Sequence, residues 1–259
     1  MAVIDCRSAF GNRRRERDRR PVGSVAVIIP TYNEHDNIEL LLSELVAWFP
    51  DIRIMVVDDN SPDHTANDVR VFGARWPNVK LHLYSRSEKQ GLGSAYRDGV
   101  AEAVRIWNPD RIVFMDADGS HQPHCLQWLL SERADLVIGS RYVTGGYIQG
   151  WSWWRRVLSR YGNMYARYLS GINVCDMTSG FMCFSRSCLQ GIELDTCGAS
   201  GYAFLMQTKF SAARLKASIV EVPITFAERR GGSSKISLSI ILEGIFTPWL
   251  MRASRFLMP

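Results

Sequence analysis

The sequence predicts an α/β fold: one Rossmann-like, mostly parallel sheet flanked by helices, with a small extension and a C-terminal amphipathic helix. Three observations predict it. Short apolar runs alternate with segments whose apolar residues recur at helical spacing. Several of these runs end in acids, hydroxyls or glycines, where open parallel sheets place their ligands. After Arg141 the alternation gives way to glycine- and aromatic-rich sequence.

Val25–Pro30 (VAVIIP) reads as a buried strand, and Asn33–Phe49 as a helix with Ile38, Leu41, Leu42, Leu45, Val46 and Phe49 on one face. Ile52–Val57 is the second strand; it runs into Asp58-Asp59, and Pro62 can start the next helix. Val79–Tyr84 is the third strand and Gly93–Trp107 a helix. Ile112–Met115 is the fourth strand, and Leu136–Gly139, after a short helix, the fifth. Such alternation argues right-handed parallel connections. Beyond Gly145–Trp154, Arg155–Leu169 reads as a helix and Phe181–Phe184 as a short apolar segment. Gly201–Leu215 reads as a helix, Ile219–Phe226 as one alternating strand and Arg229–Lys235 as a basic Gly/Ser loop. Ile236–Phe256 is an apolar-faced helix expected to break near Pro248. The expected organisation is an arm (1–23), a main α/β domain (24–235) and a terminal helix (236–259).

The 259 residues, 46% hydrophobic and 22% charged, suit one large globular domain or two small ones. The formal net charge of +5 admits anionic partners. Arg13–Arg20 (RRRERDRR) is too charged to form a core and reads as a disordered arm. No nucleic-acid motif accompanies it, so no nucleic-acid partner is expected. The six cysteines form no C-x-x-C pair and read as free thiols in a reducing compartment. The N-terminus lacks the apolar stretch of a secretory signal, and no run of about 20 apolar residues predicts a membrane span.

The fourth strand runs into Asp116-Ala117-Asp118. Residues i and i+2 on extended chain point to one side, so both carboxylates can face one cation, with Mg²⁺ or Mn²⁺ the natural choice for hard oxygen ligands. A solvated turn is the bland alternative. At the end of the first strand, Tyr32 could stack on a base and Glu34 bond a base or ribose; equally, Thr31 or Asn33 could cap a helix. Asp58–Asp63 could hold a ribose or form turns. Gly91-Leu92-Gly93 only partly matches a dinucleotide loop, because Tyr96 occupies the third glycine position, and reads as a flexible helix start with Lys89 nearby.

Five segments in order, VIIPTYNE, VVDDNSPD, KQGLGSAYRDG, MDADGSH and GSRY, resemble the family 2 glycosyltransferases with the GT-A fold. GSRYVTGG, WSWWRRVLSRYGN, DMTSGF and FAERRGGSSK resemble, within it, the dolichol-phosphate (polyprenol-phosphate) mannose synthases. That resemblance implies transfer of mannose from GDP-mannose to a dolichyl or polyprenyl phosphate with inversion. Pro30, Tyr32, Glu34 and Asp59 would hold the guanosine. Asp116 and Asp118, with Ala117 between them, would bind the metal and diphosphate. Ser120 stands where some members carry a metal-contacting glutamine. Arg141, Arg155 and Ser159 would form the acceptor-phosphate site and, with Asp118, the catalytic set. Arg229 and Lys235 would meet the donor phosphates. The same fold using UDP-glucose, or serving as a non-catalytic nucleotide-sugar-binding subunit, is the alternative. Asp176–Phe181 could shape the sugar pocket or form a turn.

A polyprenyl phosphate implies a membrane surface, and the expected location is peripheral, on the cytoplasmic face. Trp151, Trp153, Trp154, Tyr161, Tyr165 and Tyr168 beside Arg155 and Arg156 suit a headgroup region, as does the final helix. Core packing is the alternative for both. Some relatives use small membrane partner proteins, which adds such a partner to the expectations.

Overall fold

The structure is a computed structural model that describes residues 23–192, 194, 201–229 and 238–257. Residues 1–22 of the expected arm and Lys235 lie outside them. The main sheet has the order β3-β2-β1-β4-β7-β5-β8. Its strands are β1 (Val25–Thr31), β2 (Arg53–Asp58), β3 (Lys80–Ser85), β4 (Arg111–Phe114), β5 (Leu136–Ser140), β7 (Met182–Ser185) and β8 (Ile219–Pro223). A second, two-stranded sheet pairs β6 (Tyr147–Ile148) with β9 (Thr225–Phe226). The helices are α1 (His35–Trp48), α2 (Thr65–Arg75), α3 (Leu92–Trp107), α4 (Leu126–Ser131), α5 (Trp153–Ser170), α6 (Arg186–Gly191), α7 (Gly201–Arg214) and α8 (Leu238–Leu257).

Both sheet faces are covered, so β1, β2 and β4 are apolar at successive positions. Ala26, Ile28, Met55, Val57, Ile112 and Phe114 face one core; Val27, Ile29, Ile54, Val56 and Val113 face the other. Tyr96 of α3 stacks on Phe114 at 4.1 Å. Gly99 lets α3 approach the sheet: a Cβ there would stand 2.5 Å from Ile28 Cγ2 and 2.7 Å from Val57 Cγ2.

Three elements depart from the sequence expectations. The single strand expected over Ile219–Phe226 is two, and the chain passes between sheets at Ile224, whose N–H donates to the Ser140 carbonyl. The last helix runs through Pro248 rather than breaking there. The proline removes one helical N–H, and the Tyr165 hydroxyl of α5 donates to the Ile245 carbonyl in the adjoining turn at 2.9 Å. Phe181–Phe184 becomes β7, inserted antiparallel between β4 and β5. That insertion builds the site. Phe114 and Ile138 both face Met182, so the start of β7 lies beside the ends of β4 and β5. The turn before β7, residues 176–180, therefore lies between Asp116 after β4 and Arg141 after β5.

Candidate active site

Asp116 and Asp118 follow β4, and Gly119, at φ 77°, turns the chain after them. Asp118 Oδ1 accepts the Ser120 N–H at 3.0 Å and also its hydroxyl, while Oδ2 lies 3.0 Å from Arg229 Nη2. Burial pushes the Asp118 carboxyl up, but the two Ser120 bonds, His121 and Arg229 outweigh it and hold it below the ordinary range. Ser120 is itself buried. Its hydroxyl thus orients Asp118.

Asp116 is held differently. Its N–H donates to His121 Nδ1 at 3.0 Å, which leaves the imidazole proton on Nε2, 3.7 Å from Asp116 Oδ2. Tyr96 points its hydroxyl at Asp116 Oδ1 from 3.4 Å. Burial, with Asp118 adding to it and His121 opposing, raises the Asp116 carboxyl above its ordinary range. A carboxylate so short of compensating charge suits a cation. Asp116 and Asp118 could hold one Mg²⁺ or Mn²⁺, with other positions left to phosphates and water. Among the described residues, no group of three or more His, Cys, Asp or Glu side chains has metal-binding spacing. Ala117 is buried between the two acids.

The residues expected to meet the donor gather around the ends of β1 and β2. Pro30 lies near the end of β1, and Lys89 Nζ lies 3.6 Å from the Tyr32 ring centroid. Glu34 is buried; its Oε2 accepts from Asn37 at 2.8 Å and its Oε1 lies 3.7 Å from Arg229 Nη1. Arg229 thus spans Glu34 and Asp118. Asp59 accepts from Arg86 Nη1 at 2.8 Å and from the Gln90 and Gly91 N–H groups at 2.9 and 2.8 Å. It braces the loop that starts α3. Neither Thr31 nor Asn33 caps α1; Asp63 accepts the His35 N–H at 3.1 Å instead and also bonds Thr65.

Of the residues expected at the acceptor phosphate, Arg141 is buried. Its Nε and Nη2 donate to Asp176 Oδ2 and Oδ1 at 2.8 and 2.6 Å, and Nη2 donates to Thr178 Oγ1 at 2.7 Å. Burial works against the Asp176 charge, but Arg141 holds the carboxyl below its ordinary range. Trp151 stands between two arginines: Arg141 Cζ is 5.7 Å and Arg155 Cζ 4.0 Å from its ring centroid. Ser159 accepts from the Tyr142 hydroxyl at 2.6 Å. Asn163, also on α5, bonds Thr178. The structure therefore brings Arg141, Arg155 and Ser159 to one side of the 176–180 turn and the carboxylate pair to the other. Gly180 closes the gap, for a Cβ there would lie 3.3 Å from Asp116 Oδ1.

The family model for glycosyl transferase family 2 matches residues 26–192. The chain belongs to this family. The glycosyltransferase is 42% identical over 230 residues to a polyprenol monophosphomannose synthase of Mycolicibacterium smegmatis, covering 88% of this chain and 86% of that protein. It is also 42% identical, over 233 residues, to an undecaprenyl-phosphate mannosyltransferase of Micrococcus luteus, covering 88% and 95%. In three dimensions it matches glucosyl-3-phosphoglycerate synthase from Mycobacterium tuberculosis, solved with Mn²⁺, UDP and glucosyl-3-phosphoglycerate (TM-score 0.62, 19% identity, 92% of this chain and 81% of that one). A mannosyltransferase from Pyrobaculum calidifontis, solved with GDP-Man and Mn²⁺, aligns at TM-score 0.53 with 18% identity over 91% and 74%. The fold of the glycosyltransferase is GT-A.

The contacts of three site residues were not visible in the sequence. His121 stands inside MDADGSH, but nothing in the string shows its ring under Asp116. Trp151, weighed as headgroup-facing or core-packed, is partly buried and meets Phe226 edge-on at 5.5 Å. Asp176, weighed as a sugar contact, is fully buried and serves Arg141. Its partner lies 35 residues away, beyond any local spacing signal.

Proposed function

We propose that the glycosyltransferase moves mannose from GDP-mannose to a polyprenyl phosphate with inversion at C1, giving a β-linked polyprenyl-phosphate mannose and GDP. The observation that carries this reading is the near full-length similarity to two proteins named for polyprenyl-phosphate mannosylation. The geometry supports it, because a carboxylate pair and an arginine pair flank one turn, as a diphosphate donor and a monophosphate acceptor require. Glu34, Tyr32 and Asp59 would meet the nucleoside, Asp59 through the loop it braces, and Arg229, beside Asp118, would meet the diphosphate; Lys235, outside the described residues, is assigned there by the sequence resemblance alone. A Mg²⁺ or Mn²⁺ ion held by Asp116 and Asp118 would offset the diphosphate charge. Arg141 and Arg155 hold the acceptor phosphate by charge-assisted bonds, and Ser159 with Tyr142 borders it. A phosphate monoester has a second pKa of roughly 6, so it attacks as a dianion without a protein base. The protein's part is to align two repelling anions.

Transfer of radiolabelled sugar to a short polyprenyl phosphate tests this. EDTA-sensitive transfer from GDP-mannose is expected. Transfer from UDP-glucose alone would overturn the donor assignment, and a folded protein active with neither would overturn catalysis.

No helix among the described residues is long and apolar enough to cross a membrane. We propose that the acceptor is reached peripherally. On α5, Trp153, Trp154, Leu158, Tyr161 and Tyr168 are exposed, and on α8, Phe246, Trp249 and Leu250. Arg156, Arg160 and Arg252 are exposed among them. Met251 and Thr247 are buried, so cutting away α8 would uncover core, and substitution is the cleaner test. Phe246→Ser with Trp249→Ser should weaken partitioning onto anionic vesicles by about a hundredfold or more, since each inserted aromatic contributes ~1.5–3 kcal/mol. Unchanged partitioning would refute this surface.

A further inference from the structure

Lys209, on α7, is fully buried. Its Nζ donates to the Met177 carbonyl at 3.1 Å, the Ser179 carbonyl at 2.7 Å and the Leu205 carbonyl of its own helix at 3.3 Å. An ammonium has three protons, and here each has an acceptor. Apolar packing alone would be better served by methionine or leucine, since a buried charge is costly to desolvate.

The backbone it grips is the turn between the two halves of the site. Thr178, between the two clamped carbonyls, accepts from Arg141 Nη2, and Asp176 takes both the N–H and the guanidinium of Arg141. Glu221 of β8 secures the same turn from another direction, accepting the Cys175 and Asp176 N–H groups at 2.7 and 2.9 Å. Asp116 depends less on Lys209, because β4, His121 and Tyr96 hold it independently.

We propose that Lys209 is a positioning residue for the acceptor-phosphate site: its buried ammonium fixes the Asp176–Ser179 turn and so sets the Arg141 guanidinium. The proposal rests on the reading of Arg141 as an acceptor ligand. The charged groups facing Lys209 are Asp176, Arg141 and Glu221. Burial pushes the ammonium down to about 7, Asp176 and Glu221 opposing the fall and Arg141 adding to it. Loss of the proton replaces one N–H donor by a lone pair facing a carbonyl oxygen, and it leaves the buried group one charge more negative. Both effects disfavour a phosphate dianion at Arg141. A bound dianion in turn draws the lysine pKa upward. Acceptor affinity is therefore full below pH 7 and falls as pH rises through that value. The acceptor's own ionisation, with a second pKa of roughly 6, is nearly complete by then and runs in the opposite direction.

The test is steady-state transfer with a short polyprenyl phosphate, reading acceptor and donor KM from pH 7 to 8.5 for the wild type, Lys209→Met and Arg141→Lys. The wild-type acceptor KM should rise roughly three- to tenfold across that range, with donor KM nearly flat. Lys209→Met should show an acceptor KM raised by about tenfold at pH 7 and no slope. A wild-type acceptor KM or slope retained in Lys209→Met overturns the proposal, as does a donor KM that rises in parallel. Should Lys209→Met not fold, the wild-type profile decides, and a flat acceptor KM refutes it. Arg141→Lys separates the two readings: an unchanged acceptor KM in that variant overturns the acceptor assignment itself.

Discussion

Asp118→Asn should lower mannosyl transfer by about a thousandfold or more while the fold survives. Asparagine keeps the shape of the side chain, and its carbonyl oxygen can still accept from Ser120. What it loses is the anion, whose carboxyl is held below the ordinary range, against the opposing effect of burial, by Ser120, His121 and Arg229. The charge is thus present throughout the neutral range, and the deficit should not vary with pH there. Calorimetry should show GDP binding lost with the transfer, and the thermal midpoint should change little. Near-normal turnover would remove Asp118 from the catalytic set.

Arg141→Ala should be damaging in two separable ways. Acceptor use should disappear, and stability should fall by ~3–5 kcal/mol, because Asp176 is left buried without its guanidinium. The sign of the pH effect follows from Asp176. Its depressed pKa contributes stability above the ordinary carboxylate pKa, and that contribution is lost as pH falls through the lowered folded value. In Arg141→Ala this contribution is gone and the carboxylate is poorly compensated, so the gap to wild type should narrow as pH falls and Asp176 protonates. Pairing Arg141→Met with Asp176→Asn should restore much of the stability and none of the transfer. Denaturant unfolding and transfer assays on the three proteins separate the roles. Restored transfer in the double variant would show that Arg141 acts only as a structural ion pair.

The sheet was legible because both its faces are buried: VAVIIP, IRIMVV and IVFM advertise themselves without alternation. The acids after β4 were legible because a dipeptide spacing places them on one side of the chain. β7 was not, since four apolar residues carry no sign of strand direction, and nothing local says that the chain returns between β4 and β5. The same gap hid Asp176, Thr178 and Lys209, whose roles exist only once that return is made. Asp59 was legible as a strand-end acid, but a string could not show that its oxygens face Arg86 and the Gln90–Gly91 loop. The surface of α5 was half legible: the aromatics were visible, but which of them turn outward depended on α8 lying against the helix.

The chain leaves the sheet after β5 and re-enters immediately beside it as β7, so residues 141–181 form a closed excursion. Such an excursion behaves as a cassette. It includes no strand that pairs with β1, β2 or β4, so its sequence can vary without changing their register, while its ties to β9, α7 and α8 must be kept. The constraints gather at its return: residues 175–179 must still meet Glu221 and Lys209, a small residue must stand beside Asp116 where Gly180 does, and Phe181 must still stack on His121.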